Sequence, residues 1–385
     1  SMKWIVKRSS ELYVSSSGLS KASDQFGYGF PFLSYKDVFN NYYAPEKLNT
    51  LVNSTEKDRQ KCSVKRGDVF LTRTSETTDE LGMSCVALKD YENATFNGFT
   101  KRLRPLTEEI VPEYAAYFFR SSYFRAQCQS LASLITRASL NDGMIRRFKI
   151  RFPKEKKCQE KIGKILLTYD SLIENNTKRI RLLEKMAENL YKEWFVRFRF
   201  LGHENVKMVN GLPKGWKYVN FGKLSPIVTG KKDANFASPN GKYKFFTCSK
   251  ADLMADSYSF DCFAIILAGN GDLNVKLYKG QFEAYQRTYV LTPYDISHIY
   301  ISYYTIQSEL DRLLVGAAAA VIKFLTKGMI EKIKIVVPDQ SLLRKFNIML
   351  DANFKIRQNL IAQNTLLARQ RDLLLPRLMS GKLEV

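Results

Sequence analysis

One fourteen-residue phrase occurs twice in the chain. LNDGMIRRFKIRFP, Leu140 to Pro153, returns 185 residues later as LTKGMIEKIKIVVP, Leu325 to Pro338, with seven of the fourteen positions identical. A segment of helical composition follows each copy, Lys154 to Phe200 and Asp339 to Lys382, and an irregular, aromatic-rich stretch precedes each. The repeat therefore constrains the fold to a tandem duplication of one unit, a globular domain followed by a long helix. The expected class is α+β, with globular domains over residues 1–153 and 201–338 and helical spacers over 154–200 and 339–385.

Composition narrows what such a duplicated chain is for. Its 385 residues suffice for two domains with separate cores, and 45% hydrophobic content excludes a disordered protein. Lys and Arg number 60 against 38 Asp and Glu, a net charge of +22. An excess of that size opposes compaction unless it faces a polyanion, and a duplicated basic protein suits a bipartite target, double-stranded DNA first of all. A membrane role is disfavoured, because no apolar run approaches the roughly 20 residues that span a bilayer. The longest, Leu313 to Ile322, is short and alanine-rich and reads as a buried or domain-edge helix.

Six cysteines occur without CxxC pairing beside only two histidines, His203 and His298, too few for a zinc site of usual spacing. No signal-peptide pattern is visible, so reduced thiols in a cytoplasmic protein are expected. Ser1 ahead of Met2 reads as a remnant of tag removal and is set aside.

Strands are expected at 68–72 and 148–152 in the first domain, with helix over Glu113 to Leu131. In the second domain, which opens at Gly211-Leu-Pro-Lys-Gly-Trp216, strands are expected at Cys262–Ala268, Tyr285–Leu291 and Ile333–Val337. The first spacer carries a heptad seam. Leu166, Ile173, Ile180, Ala187 and Trp194 fall seven apart, with Tyr169, Asn176, Leu183 and Leu190 three later. An offset of 183 places Ile356, Asn359, Leu366 and Leu373 in the matching seam of the second spacer, weakened by Gln363 and Gln370. Asn176 and Asn359 then either fix the register of a buried seam or sit at its solvated end. A helix of roughly 30 residues spans about 45 Å, which would set two DNA-reading domains somewhat more than one duplex turn apart. Trp194 either closes the seam against a domain or, with Phe195, belongs to a docking surface. Most other aromatics are expected to fill cores.

Base reading needs paired donors and acceptors on loops, chiefly Arg, Lys, Asn and Gln, while Lys, Arg, Ser and Thr serve phosphates. In the first domain the candidates are Arg73 and Thr74 after a strand, Lys101 with Arg102, and Arg137, Ser139 and Asn141 just before the repeated phrase. In the second they are Lys231 and Lys232, Asn270 and Asn274, and above all Gln286 and Arg287.

These features together resemble the specificity subunit of type I restriction-modification systems. The likeness covers essentially the whole chain. It rests on Leu212-Pro-Lys-Gly-Trp216, the two Leu-x-x-Gly-Met-Ile phrases with their closing prolines, Ile173-Glu-Asn-Asn176, Leu190-Tyr-Lys-Glu-Trp-Phe195 and the tail from Gln370 to Lys382. One departure is the lack of a Leu-Pro-x-Gly-Trp motif before the first domain. The resemblance implies two target recognition domains, each reading half of a split, asymmetric DNA sequence, and two helical regions pairing as an antiparallel coiled coil that acts as a ruler. It also implies partners, two methylation subunits and restriction subunits, that carry the chemistry with S-adenosylmethionine, ATP and Mg. Deprived of them, the chain is expected to self-associate.

The chain itself shows no Asn/Asp-Pro-Pro-aromatic tetrapeptide for a flipped base, no Gly-rich cofactor loop and no Walker phosphate loop, so no catalytic residues are expected. Two other readings remain: a self-sufficient restriction or methylation enzyme, and a coiled-coil DNA-binding regulator or scaffold.

Overall fold

The structure, a computed structural model, describes residues 2–74, 80–132, 139–315 and 324–385. Arg137 and most of the run from Leu313 to Ile322 lie outside the described residues. The chain divides into two compact units, residues 1–177 with 361–385, and residues 178–360.

Two long helices, Lys156–Tyr191 and Gln340–Ser380, run through both units. The second starts where Asp339 caps it, its Oδ1 accepting from the Leu342 amide at 2.9 Å. It ends at Gly381, whose φ of 75° is the left-handed conformation that lets the chain turn away from the last carbonyls. The first helix ends in a short π-helical turn, Lys192–Val196.

Within each unit the two helices pair antiparallel. In the first unit Asp170 meets Arg371, Asn176 Nδ2 donates to Gln363 Oε1 at 3.4 Å, and Asn364 Nδ2 donates to Thr177 Oγ1 at 3.2 Å. In the second unit Asn353 Nδ2 donates to the Leu183 carbonyl at 2.9 Å and Arg357 pairs with Glu184 at 3.5 Å. Numbers rise on one helix as they fall on the other. The expected seam of the first helix holds: Leu166, Asn176 and Ala187 are buried, Ile173, Ile180, Leu183 and Leu190 half-buried, and Leu172, Leu182 and Met186 face solvent.

The expected seam of the second helix is one residue out of phase. Ile356, Asn359, Leu366 and Leu373 are all exposed, Leu373 by 62%. The inward positions are instead Leu343, Phe346, Leu350, Asn353, Arg357, Leu360, Asn364, Leu367, Arg371, Leu374 and Leu378. Four of these are polar, and each meets a polar partner on the first helix, so an apolar pattern search slides to the neighbouring stripe. Asn359 accordingly has no share in the seam, and Asn364 stands there instead.

The two domains have one topology. In the first, a sheet runs in the order Tyr13–Ser17, Thr100–Pro105, Val69–Thr72, Ser84–Val86. In the second, Ile227–Thr229, Thr288–Leu291, Phe260–Ala268 and Val275–Ala284 stand in the same order. Each domain then adds a parallel pair, Phe26–Leu33 beside Thr95–Phe96 and Tyr243–Phe246 beside the end of Val275–Ala284, and an antiparallel edge strand, Thr50–Val52 or Leu253–Ala255. The expected helix from Glu113 to Leu131 is interrupted at residues 119–121, leaving Pro112–Phe118 and Ser122–Ala132. There the Arg120 guanidinium turns inward to the carbonyls of Ser84, Val38, Phe39 and Asn41.

The repeated phrase is a compact local device. Asn141 and Thr326 cap the short helices Asp142–Arg147 and Lys327–Glu331 by accepting from the Met144 and Met329 amides. Strands Lys149–Pro153 and Lys334–Val337 follow, paired antiparallel with Trp4–Arg8 and Lys217–Asn220. Leu140, Ile145 and Ile150 are buried, as are Leu325, Ile330 and Ile335. Trp4 lies opposite Pro153, the place that Trp216 takes one residue before the Lys217–Val337 pair, so the first domain has its tryptophan without the rest of the motif. Phe195 is buried against Trp216 and Phe346, and Trp194 packs on Phe346, so both belong to the second unit's core.

Candidate nucleic-acid interface

The shared topology brings most of the candidate residues to one end of each main sheet. In the second domain the Asn270 loop leaves strand Phe260–Ala268, and the turn at residues 285–287 leads into strand Thr288–Leu291. The Gly269 amide donates to the Arg287 carbonyl at 2.9 Å, and Gln286 N donates to the Lys232 carbonyl at 2.9 Å. Isolated bridges join Lys232 to Tyr285 and Asn270 to Phe324. The Leu325 amide, first residue of the repeated phrase, donates to the Gly269 carbonyl at 2.7 Å. Lys231, Lys232, Asn270, Asn274, Gln286 and Arg287 thus share one loop cluster.

The first domain repeats these contacts with different residues. Arg73 N donates to the Phe99 carbonyl at 2.9 Å, Gly98 N to the Leu19 carbonyl at 2.9 Å, and Leu140 N to the Arg73 carbonyl at 2.8 Å. Bridges join Leu19 to Asn97 and Thr74 to Ser139. Arg73 therefore corresponds to Gly269, Thr74 to Asn270, Gly98 to Gln286 and Phe99 to Arg287. At this rung each domain carries one arginine, on opposite members of the strand pair.

The side chains divide by how they are engaged. Gln286 and Arg287 are exposed, and among the described residues neither side chain is held by a hydrogen bond or ion pair. Lys231 is exposed, and Lys232 lies over the Phe236 ring at 4.4 Å. Asn274 spends its amide on the Cys248 and Asp272 carbonyls, shaping the loop. Asn141 gives its oxygen to a helix cap.

Lys101 and Arg102 do not form the expected basic point on the surface. Both are buried: Lys101 reaches Ser17 Oγ at 2.9 Å and Asp142 at 3.0 Å, and Arg102 donates to the Ser63 carbonyl at 2.7 Å above the Phe96 ring. Adjacent side chains of strand Thr100–Pro105 point to opposite faces of the sheet, and both faces are covered at this place, so two neighbouring cations there do not form a surface pair. Partial burial pushes the Asp142 carboxyl up, but Lys101 and Ser15 outweigh it and hold the group below the ordinary carboxylate range. Asp252 is likewise pushed up by burial and pulled further down by Lys244 and Lys276, which it neutralises at 2.6 and 2.8 Å. Those two lysines are committed within the protein. Among the described residues no cluster of three or more His, Cys, Asp or Glu is placed to hold a metal ion, and no helix is long and apolar enough to cross a membrane.

Residue-pattern reasoning missed Phe99, which is 64% exposed at the tip of the turn. An isolated aromatic carries no sequence signal. Only the match with Arg287 marks its position.

Comparison with known proteins finds the following likenesses. The sequence model of the family described as type I restriction modification DNA specificity domain matches residues 4–185. The type I restriction enzyme MjaIX specificity subunit of Methanocaldococcus jannaschii is 24% identical over 407 residues, covering 99% of this chain and 93% of that protein. The type I restriction enzyme EcoDI specificity subunit of Escherichia coli is 34% identical over 176 residues, 45% of this chain, and the match spans only 39% of that protein's length. The crystal structure of the type I restriction-modification system S subunit from M. genitalium superposes with a TM-score of 0.61 over 98% of this chain and 96% of that one, at 15% identity, and so shares its fold.

Proposed function

We propose that the chain is a type I restriction-modification specificity subunit, the non-catalytic DNA-reading member of such a complex, recognising a bipartite, asymmetric target; the family match over residues 4–185 and the likeness to curated specificity subunits support this reading. The observation that carries this reading is the pair of matched loop clusters. One topology presents two sets of side chains that differ at corresponding positions, Arg73, Thr74 and Phe99 against Gly269, Asn270 and Arg287. Identical sets would read a palindrome, whereas different sets read different half-sites. The net charge of +22 supplies the sequence-independent attraction to phosphates. Residues 1–153 and 201–338 are the two target recognition domains, and the helical regions 154–200 and 339–385 set the spacing between half-sites. Two methylation subunits would supply S-adenosylmethionine-dependent transfer to adenine, and restriction subunits would supply ATP- and Mg-dependent translocation and cleavage, in the cytoplasm.

The test is co-expression with the cognate methylation subunit in a host lacking adenine methylation, with modified bases mapped by single-molecule sequencing. Methylation confined to one split, asymmetric motif is the expected result. A stable complex that leaves the genome unmethylated would refute this reading, and methylation by the chain alone would restore the self-sufficient enzyme.

In the same assay Arg287→Ala is expected to relax one position in one half-site, because a lost two-point base contact removes about 1–3 kcal/mol of discrimination. The other half-site should be unaltered. Unchanged stringency in both would remove Arg287 from the interface.

A further inference from the structure

Resting on the DNA-reading function proposed above, we propose that Phe99 is a specificity-determining residue of the first domain, making the apolar contact that selects a thymine through its C5 methyl group.

The argument begins with position. Phe99 occupies the place of Arg287: its carbonyl accepts from Arg73 N as the Arg287 carbonyl accepts from Gly269 N, and the buried threonines Thr100 and Thr288 follow. The amides of those threonines donate to the corresponding carbonyls of Asn97 and Tyr285, so the two turns have one backbone design. A ring in the place of a guanidinium cannot offer hydrogen bonds to guanine, and the apolar feature of the major groove is the thymine methyl.

Rigidity comes next. Asn97 Oδ1 accepts from Phe99 N at 2.7 Å, its carbonyl accepts from Thr100 Oγ1 at 2.7 Å, and Gly98 N is held by the Leu19 carbonyl. A Cβ at Gly98 would stand 2.1 Å from Ser20 Oγ, so the turn is pinned between two neighbouring segments. Such pinning fixes the Phe99 backbone while the ring stays 64% exposed, whereas Phe96, three residues earlier, is completely buried. A large exposed ring on a braced turn loses little conformational freedom when it meets a surface. Arg73, joined to Phe99 by the backbone bond, places a cation on the adjacent strand end for the neighbouring base or phosphate.

The experiment uses the complex with its methylation subunits. Once the wild-type motif is mapped, each thymine in the half-site lost or altered by Phe99→Ala is replaced by deoxyuridine, which lacks only the methyl, and binding is measured for both proteins. For the wild type, one such replacement should weaken binding about fourfold, the worth of one buried methyl-sized contact. Phe99→Ala should bind the thymine and deoxyuridine sites equally, and its methylation motif should become degenerate at that base alone. Phe99→Leu, which keeps an apolar group, should restore part of the preference. An unaltered motif for Phe99→Ala would overturn the proposal, as would a uniform loss of affinity that leaves the thymine preference intact. A wild-type complex without any split motif would instead refute the DNA-reading function itself. Thermal unfolding of Phe99→Ala should match the wild type, since the ring is outside the core.

Discussion

Arg371→Ala is expected to destabilise the first unit by about 3–5 kcal/mol, the largest effect of any single substitution considered for this protein. Asp170 and Arg371 face each other across the helix pair with side chains 11% and 14% exposed. The Tyr117 hydroxyl donates to the second Asp170 oxygen at 2.5 Å, and the Tyr42 ring lies 4.8 Å from the guanidinium. Removing the arginine leaves a carboxylate shielded from water with one neutral donor, and that desolvation is what the stability loss measures. Proton affinities point the same way: burial works against the Arg371 charge, yet Tyr42 and Asp170 together raise its pKa above the ordinary arginine value. The Tyr117 hydroxyl is raised by burial and further by Asp170. Hydrogen exchange should locate the loss in the stretch of the second helix from Ile361 to Ser380 and in the facing part of the first. Replacing both partners with apolar residues, Asp170→Leu with Arg371→Met, should recover most of the stability. A change below about 1 kcal/mol for Arg371→Ala would mean that water reaches Asp170 freely.

The second large effect concerns the helix pair as a spacer. Deleting one heptad from each helix, Ile173–Arg179 and the opposing Ile361–Leu367, should keep both half-sites while shortening the spacer by about three base pairs. Seven residues are about 10.5 Å of helix, and three base pairs about 10.2 Å of duplex. The antiparallel pairs Asn176–Gln363 and Thr177–Asn364 show why the deletions must match. Removing Ile173–Arg179 alone leaves seven residues of the second helix without a facing partner, so unfolding or loss of methylation is expected from that variant. Methylome mapping of the matched variant decides the question. An unchanged spacer would end the ruler interpretation.

Local order made much of the fold legible. The repeated phrase is a cap, a short helix and a strand, whose conformations depend on neighbours within fourteen residues, and strands expected at 148–152 and 333–337 stand at Lys149–Pro153 and Lys334–Val337. The seam of the first helix was readable because its inward positions are mostly apolar. That of the second was misplaced because Asn353, Arg357, Asn364 and Arg371 face inward, which only their partners on the other helix explain. The candidate site divides the same way. Gln286 and Arg287 could be named from composition and turn context, but the burial of Lys101 and Arg102 depends on Asp142 and on the Lys61–Ser63 carbonyls, about 40 residues distant.

Sequence by itself determined the duplication, the α+β class, the basic character and the two long helices, because each depends on composition or on periodicity within a few turns of chain. Tertiary structure alone decided which stripe of the second helix is inward and that Phe99 and Arg287 hold the same rung. Those facts depend on pairings such as Asp170 with Arg371, Leu19 with Asn97 and Lys232 with Tyr285. Residues so far apart in the chain are matched by packing and hydrogen bonding, which local periodicity does not encode.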